Sequence, residues 1–264
     1  MLRRVRNGWV YLTTWGPFAV ITIFFGSLGV IAAFLRIKSV AKRCLHWWAK
    51  ASYRSLGLSP KLYFTDGSSW AKSLDHLSQG VIIANHMSNL DILLIAGLAP
   101  FDMRILAKSS LFKVPFLGWY ISICGHIPVF RGDQRHLNQS IGRAAIQSAL
   151  EEGATLFIFP EGTRSKDGQL KSFRSGAFVI AEQHDLTLYP ILVQGTSRLL
   201  RAGGRVIHKD PNEPCTLTFL PELPPLSISL SNNQEEREGL SESERITQSK
   251  ERAERLYQEA FTQS

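Results

Sequence analysis

The sequence predicts an α/β fold: a mixed sheet flanked by helices, with an N-terminal helical membrane anchor. Three observations carry this. Short β-like runs alternate with helical stretches from about residue 59 to residue 226. No charged residue occurs between Gly8 and Leu35. The chain has 264 residues and is 44% hydrophobic, which allows one sizeable core and an appendage.

The anchor comes first. Its densest part is Trp15–Leu35, "WGPFAVITIFFGSLGVIAAFL". As a helix it would reach about 31 Å, close to the hydrocarbon thickness of a bilayer. The run is too long for a signal-peptide core and ends in Phe-Leu-Arg rather than a small-residue cleavage site. Pro17, Gly26 and Gly29 permit a bend or close helix packing, so a single span and a hairpin dipping into one leaflet both fit. Residues 37–56 mix Lys38, Lys42, Arg43 and Lys50 with Trp47, Trp48 and Tyr53. That mixture reads as an interfacial helix, or as an amphipathic helix packed on the domain that follows.

Strands are expected at Val81–Ala84, Arg104–Ala107, Ile127–Phe130, Thr155–Phe159, Leu188–Val193, Arg205–His208 and Thr216–Leu220. Helices are expected at Asn89–Leu98, Asp133–Glu152 and Phe173–His184. "PELPPL", 221–226, closes the packed part. Beyond it the chain is polar, with a terminal surface helix capped by Ser241 and Glu244. The organisation is therefore an anchor at 1–58, a catalytic-type domain at 59–226 and a polar tail at 227–264.

Thirty Lys and Arg stand against 22 Asp and Glu, a net charge of +8. Such a balance points to nucleic acid, an anionic membrane surface or an anionic substrate. The placement selects the membrane: Arg3, Arg4 and Arg6 precede the apolar run, and Arg36 to Lys50 follow it. No nucleic-acid signature is present. Three scattered cysteines form neither a disulfide framework nor a metal-type pair, which fits a reducing compartment and no bound metal.

Three polar clusters stand out against this background. The first is "ANHMSNLD", 84–91, wedged between two apolar runs. His86 and Asp91 are about 140° apart on a regular helix, so they meet only if His86 lies in a loop and Asp91 in the first helical turn. Asp91 would then fix the imidazole tautomer and leave the other nitrogen as a base. Ser88 and Asp91 equally read as a capping box, without chemistry. The second cluster is "FPEGTRS", 159–165, behind a buried-looking strand. Arg164 there suits a bidentate grip on phosphate, helped by backbone amides around Gly162. A plain turn with solvated side chains would look the same. The third, residues 107–133, sets Lys108, Lys113 and Arg131 around an apolar, aromatic stretch, as suits a ligand with a charged head and a greasy tail. An exposed amphipathic helix would look similar.

Taken in order, these segments resemble the 1-acylglycerol-3-phosphate acyltransferase family, a family of glycerolipid acyltransferases. The first family block, Asn-His-x4-Asp, reads "NHMSNLD". The second, ending Gly-x5-Arg, reads "GHIPVFR", with Phe130 where the family often has Asp. The third, Phe-Pro-Glu-Gly-Thr-Arg-Ser, is matched in full. The fourth, typically Val-Pro-Val, is loosely matched by "YPILV", and "FRSGAFVIA" resembles a Phe-Lys-x-Gly element with Arg174 in place of Lys.

The resemblance implies acyl transfer from a thioester, acyl-CoA or acyl carrier protein, to a lysophospholipid hydroxyl. The foremost acceptor is 1-acylglycerol 3-phosphate, giving phosphatidic acid. No cofactor beyond the acyl co-substrate is implied. His86 would be general base and Asp91 its orienting partner. Lys108, Arg131 and Arg164 would hold the acceptor phosphate, with Gly162 and Thr163 beside them. Glu161 would position either the glycerol or the loop. The expected setting is a membrane among its lipids, with the catalytic domain on the cytoplasmic face, or the inner membrane of a bacterium. Other acceptors (a lyso-ornithine lipid, lysophosphatidylcholine, glycerol 3-phosphate) remain open, as does hydrolysis of a lysophospholipid or thioester.

Overall fold

A computed structural model of the chain describes residues 2–69, 71, 77, 79–98, 101–134, 136–201, 204, 206–208, 214–229 and 240–263. Two helices open it: α1 (Leu2–Phe34) and α2 (Lys38–Ser55). They form a hairpin around Arg36, which has φ 59°. The Trp48 indole N–H donates to Thr22 Oγ1 across it at 3.0 Å. Thr13–Phe34 is apolar and long enough to cross a membrane, with a mean hydropathy of 2.1.

Then come β1 (Lys61–Phe64), β2 (Gly80–Ala84), α3 (Asp91–Ala96), β3 (Met103–Lys108), α4 (Leu117–Ile123), β4 (Ile127–Val129), α5 (Arg143–Glu151), β5 (Thr155–Ile158), α6 (Gly176–Gln183), β6 (Thr187–Gln194), α7 (Thr196–Leu199), β7 (Thr216–Phe219), α8 (Leu226–Ser229) and α9 (Glu242–Thr262). The strands make one seven-stranded sheet in the order β1-β7-β6-β2-β5-β3-β4. Among the strand pairs of the described residues, β6–β7 alone is antiparallel, so the sheet is mixed, as expected. β2 and β5 are buried along their whole length. That explains why they read as unbroken apolar runs rather than as alternating strands.

The sheet divides the core in two. Ile82 and Ala84 face a layer that includes Cys44, Ala49, Leu94 and Tyr120. Val81 and Ile83 face the opposite layer, with Phe178, Ala181, Ala253 and Tyr257. The alternation follows from the two-residue period of a strand. α2 therefore packs on the sheet domain instead of lying apart from it. Gly26 and Gly29 serve close packing: a Cβ at Gly29 would collide with the Tyr120 ring, and one at Gly26 would lie 3.2 Å from Phe116 O.

Some elements differ from expectation. β1 was not among the expected strands; it is a four-residue edge strand, exposed throughout. Val206–His208, expected in a strand, are irregular, and Arg205 lies outside the described residues. The His208 amide donates instead to Leu199 O, at the end of α7, at 2.8 Å. The helix expected over 133–152 is broken into a 3-10 turn at Gly132–Gln134, a π turn at Asn138–Gly142 and then α5. α9 starts with the expected capping box of Ser241 and Glu244. It is more than a surface helix, because Ala253 and Tyr257 are fully buried.

Candidate active site

In a parallel sheet the carboxyl ends of neighbouring strands lie along one edge, where ligand sites form. β2, β5, β3 and β4 run parallel, and each ends in a polar cluster singled out by the sequence. β2 leads into Asn85 and His86. Asn85 is buried and extends the sheet: its Oδ1 accepts from Val193 N at 2.7 Å and its Nδ2 donates to Val193 O at 2.8 Å. This pins the start of the loop to β6.

His86 and Asp91 meet as required, with His86 Nδ1 2.9 Å from Asp91 Oδ2. Asp91 is the first residue of α3, and its carboxylate is wholly buried. Oδ2 also accepts from the Met87 and Ser88 amides, each at 2.7 Å, and Oδ1 accepts from Thr196 Oγ1 at 2.5 Å. An ionised carboxylate only accepts, so Nδ1 carries the proton and Nε2 keeps a lone pair. The capping reading is realised in one half only. Asp91 reaches back to the amides, but the Ser88 hydroxyl donates to Leu200 O at 2.7 Å and accepts from the Leu90 amide at 3.4 Å, not from that of Asp91.

β5 leads into the 159–165 loop, which holds His86 from the other side. The Phe159 ring stacks on the imidazole, centroids 3.9 Å apart. Glu161 Oε1 accepts the His86 N–H at 3.0 Å, and Ser165 N–H donates to His86 O at 2.7 Å. Glu161 is 2% exposed, and its bond to the His86 N–H ties it to the backbone of the His86 loop. Burial pushes its carboxyl up to about 7; the His86 amide and Lys171 pull the other way. Gly162 has φ 67°, which a side chain rarely tolerates, and a Cβ there would come 2.8 Å from Arg174 Nε.

His86 lines a cavity of about 720 Å³. Lys108, Arg131, Gly162, Thr163 and Arg164 line it too, so the loops gather the expected residues around one space, with Glu161 behind its wall. Arg131 donates to Gly162 O, tying the second cluster to the third. Ile92, Leu106, Ile146, Ile158 and Val179 give the wall an apolar part. Arg143 and Arg174 also line the cavity. Arg174 carried a weak signal in "FRSG"; Arg143 carried none, as a lone cation on an expected helix. Thr196 and Asn85 were also passed over, because their partners lie 105 and 108 residues away. His126 is buried outside the cavity, accepting from Ile105 N, and burial pushes its imidazole down to about 3.

Residues 71–194, which hold the dyad and the loop behind it, match the family model described as Acyltransferase. This stretch is similar to an acyltransferase-family domain. Within the chain, 132 residues are 37% identical to a chloroplastic 1-acyl-sn-glycerol-3-phosphate acyltransferase of Arabidopsis thaliana, covering 50% of this chain and 36% of that one. The enzyme of that name from Saccharomyces cerevisiae is 34% identical over 122 residues, covering 46% and 40%. The matches thus span well under two thirds of these relatives' length. A 1-acyl-sn-glycerophosphate acyltransferase from Thermotoga maritima of known crystal structure superposes with a TM-score of 0.71 at 23% identity, covering 98% of this chain and 97% of that one. The shared fold therefore includes the N-terminal helices as well as the sheet.

Proposed function

We propose that this protein moves a fatty acyl group from a thioester donor, acyl-CoA or acyl carrier protein, to the free hydroxyl of a lysophospholipid. The foremost acceptor is 1-acylglycerol 3-phosphate, and the product is then phosphatidic acid. The observation that carries the reading is the His86–Asp91 pair opening onto an apolar cavity ringed by Lys108, Arg131 and Arg164. The names of the relatives favour the same acceptor.

In this reading, Nε2 of His86 takes the hydroxyl proton as that oxygen attacks the thioester carbonyl. The tetrahedral carbon then expels the thiolate, and the imidazolium returns the proton to sulfur. Base assistance of this kind is worth about 10²–10⁴-fold. Asp91 stabilises the imidazolium and holds the ring. The cations grip the acceptor phosphate, and the apolar wall takes a hydrocarbon chain. In this reading α1 anchors the protein at a membrane surface, where lyso-lipid and product both reside, which its length and apolar character support. We assign the catalytic domain to the cytoplasmic side, a reading supported by three buried free thiols.

The test uses detergent-purified protein with palmitoyl-CoA, with and without 1-acylglycerol 3-phosphate, following thiol release and lipid product. Acceptor-dependent release of phosphatidic acid, lost in His86→Ala, is expected. Full turnover in that variant would remove His86 from the mechanism. Release of free fatty acid without acceptor would replace transfer by hydrolysis.

A further inference from the structure

We propose that Thr196 is a positioning residue for the transfer reaction: its hydroxyl fixes the carboxylate that orients His86. The inference rests on the dyad reading above and adds a member to it. Asp91 Oδ2 accepts three donors, from His86, Met87 and Ser88, all in its own loop. Oδ1 takes Thr196 Oγ1, 105 residues on in the chain, at 2.5 Å. A carboxylate held at one oxygen can still swing about that point. A donor on the second oxygen sets its plane, and with it the direction in which the imidazole is held. Both groups are wholly buried, so water does not replace a lost bond freely.

The turn that carries Thr196 is built to stay in place. Gly195 before it has φ 80°, and a Cβ there would lie 3.1 Å from Cys215 Cα. A second tie runs from the Ser88 hydroxyl to Leu200 O at the end of the same turn. The end of β6 is thereby locked to the His86 loop at two points. Thr196 does not line the cavity, so it acts through Asp91 and not on substrate.

The experiment compares wild type, Thr196→Val, Thr196→Ser and His86→Ala in the thiol-release assay, with a thermal midpoint for each. Val keeps the shape and removes the hydroxyl; Ser keeps the hydroxyl. Thr196→Val should lower kcat about 10- to 100-fold while acceptor KM stays within about twofold, and Thr196→Ser should restore kcat. In an Asp91→Ala background the Val substitution should cost nothing more. A wild-type kcat in Thr196→Val would overturn the proposal, as would equal losses in the Ser and Val variants. If Val destabilises the fold, Thr196→Ala against Thr196→Ser, assayed where both are folded, decides by the same criterion. Turnover surviving in His86→Ala would instead sink the dyad reading, so the two failures are told apart.

Discussion

Glu161 does its work from behind the site. Its Oε1 holds the His86 amide, and its Oε2 is buried with no hydrogen-bond partner among the described residues. Burial raises its pKa from the ordinary 4.5 to about 7. Between those values the folded protein keeps a proton that the unfolded chain has released. Stability from this group is therefore full below about pH 4.5 and is lost as pH rises through about 7, by about 3 kcal/mol in all. Glu161→Gln removes the titration while keeping an oxygen for the His86 N–H. Its thermal midpoint should fall less than the wild-type midpoint between pH 5 and pH 8. Parallel pH curves for the two proteins would show that Glu161 is not a raised acid.

At the scale of elements, α9 is the least expected contributor to the core. Ser249, Ala253 and Tyr257 recur every fourth residue and form its one buried stripe. The Tyr257 hydroxyl reaches between β2 and β6, donating to Ile83 O at 2.8 Å and accepting from Ile191 N at 3.1 Å. It sits beside Pro190, which pairs with Ile83 and has no N–H to give. A side chain thus bridges the ladder three residues before His86. Tyr257→Phe should destabilise the fold by about 1–3 kcal/mol, measured by denaturant unfolding in detergent. No change would mean that the two strands close the gap without the hydroxyl. The sequence shows the cap of this helix clearly, since a capping box is local. It hides the docking, because three buried residues in a charged stretch carry a weak apolar signal.

At the scale of the whole molecule, α1 leaves an apolar face uncovered. Ile31 is 55% exposed and Phe34 86% exposed, and Trp119 and Ile123 on α4 extend the same character. A lipid surface is the natural cover for such a band beside Lys38 and Arg43. A double variant, Ile31→Glu with Phe34→Glu, should sediment far less with phosphatidylglycerol vesicles. Its thermal midpoint in detergent should hold, since neither side chain is in the core. Undiminished vesicle binding would move the membrane surface elsewhere on the molecule.

Much of this was legible in one dimension because its causes are local. Apolar runs of strand length mark β2 and β5, and the polar residues directly after them mark the loops that carry His86 and Arg164. The spacing of His86 and Asp91 dictates a loop followed by a helical turn, which is what forms. The length of Trp15–Leu35 marks a helix able to cross a bilayer. Tertiary structure alone decided which loops face one another. The order β6-β2-β5 brings residues 86, 161 and 196 together although they are far apart in the chain. It also pairs the exposed strand β1 with β7, and ties the His208 amide to Leu199 O rather than to a strand. Propensity and periodicity describe a residue's neighbours along the chain. The hydrogen bond from Thr196 to Asp91 depends on how strands stack across it, and no local pattern encodes that.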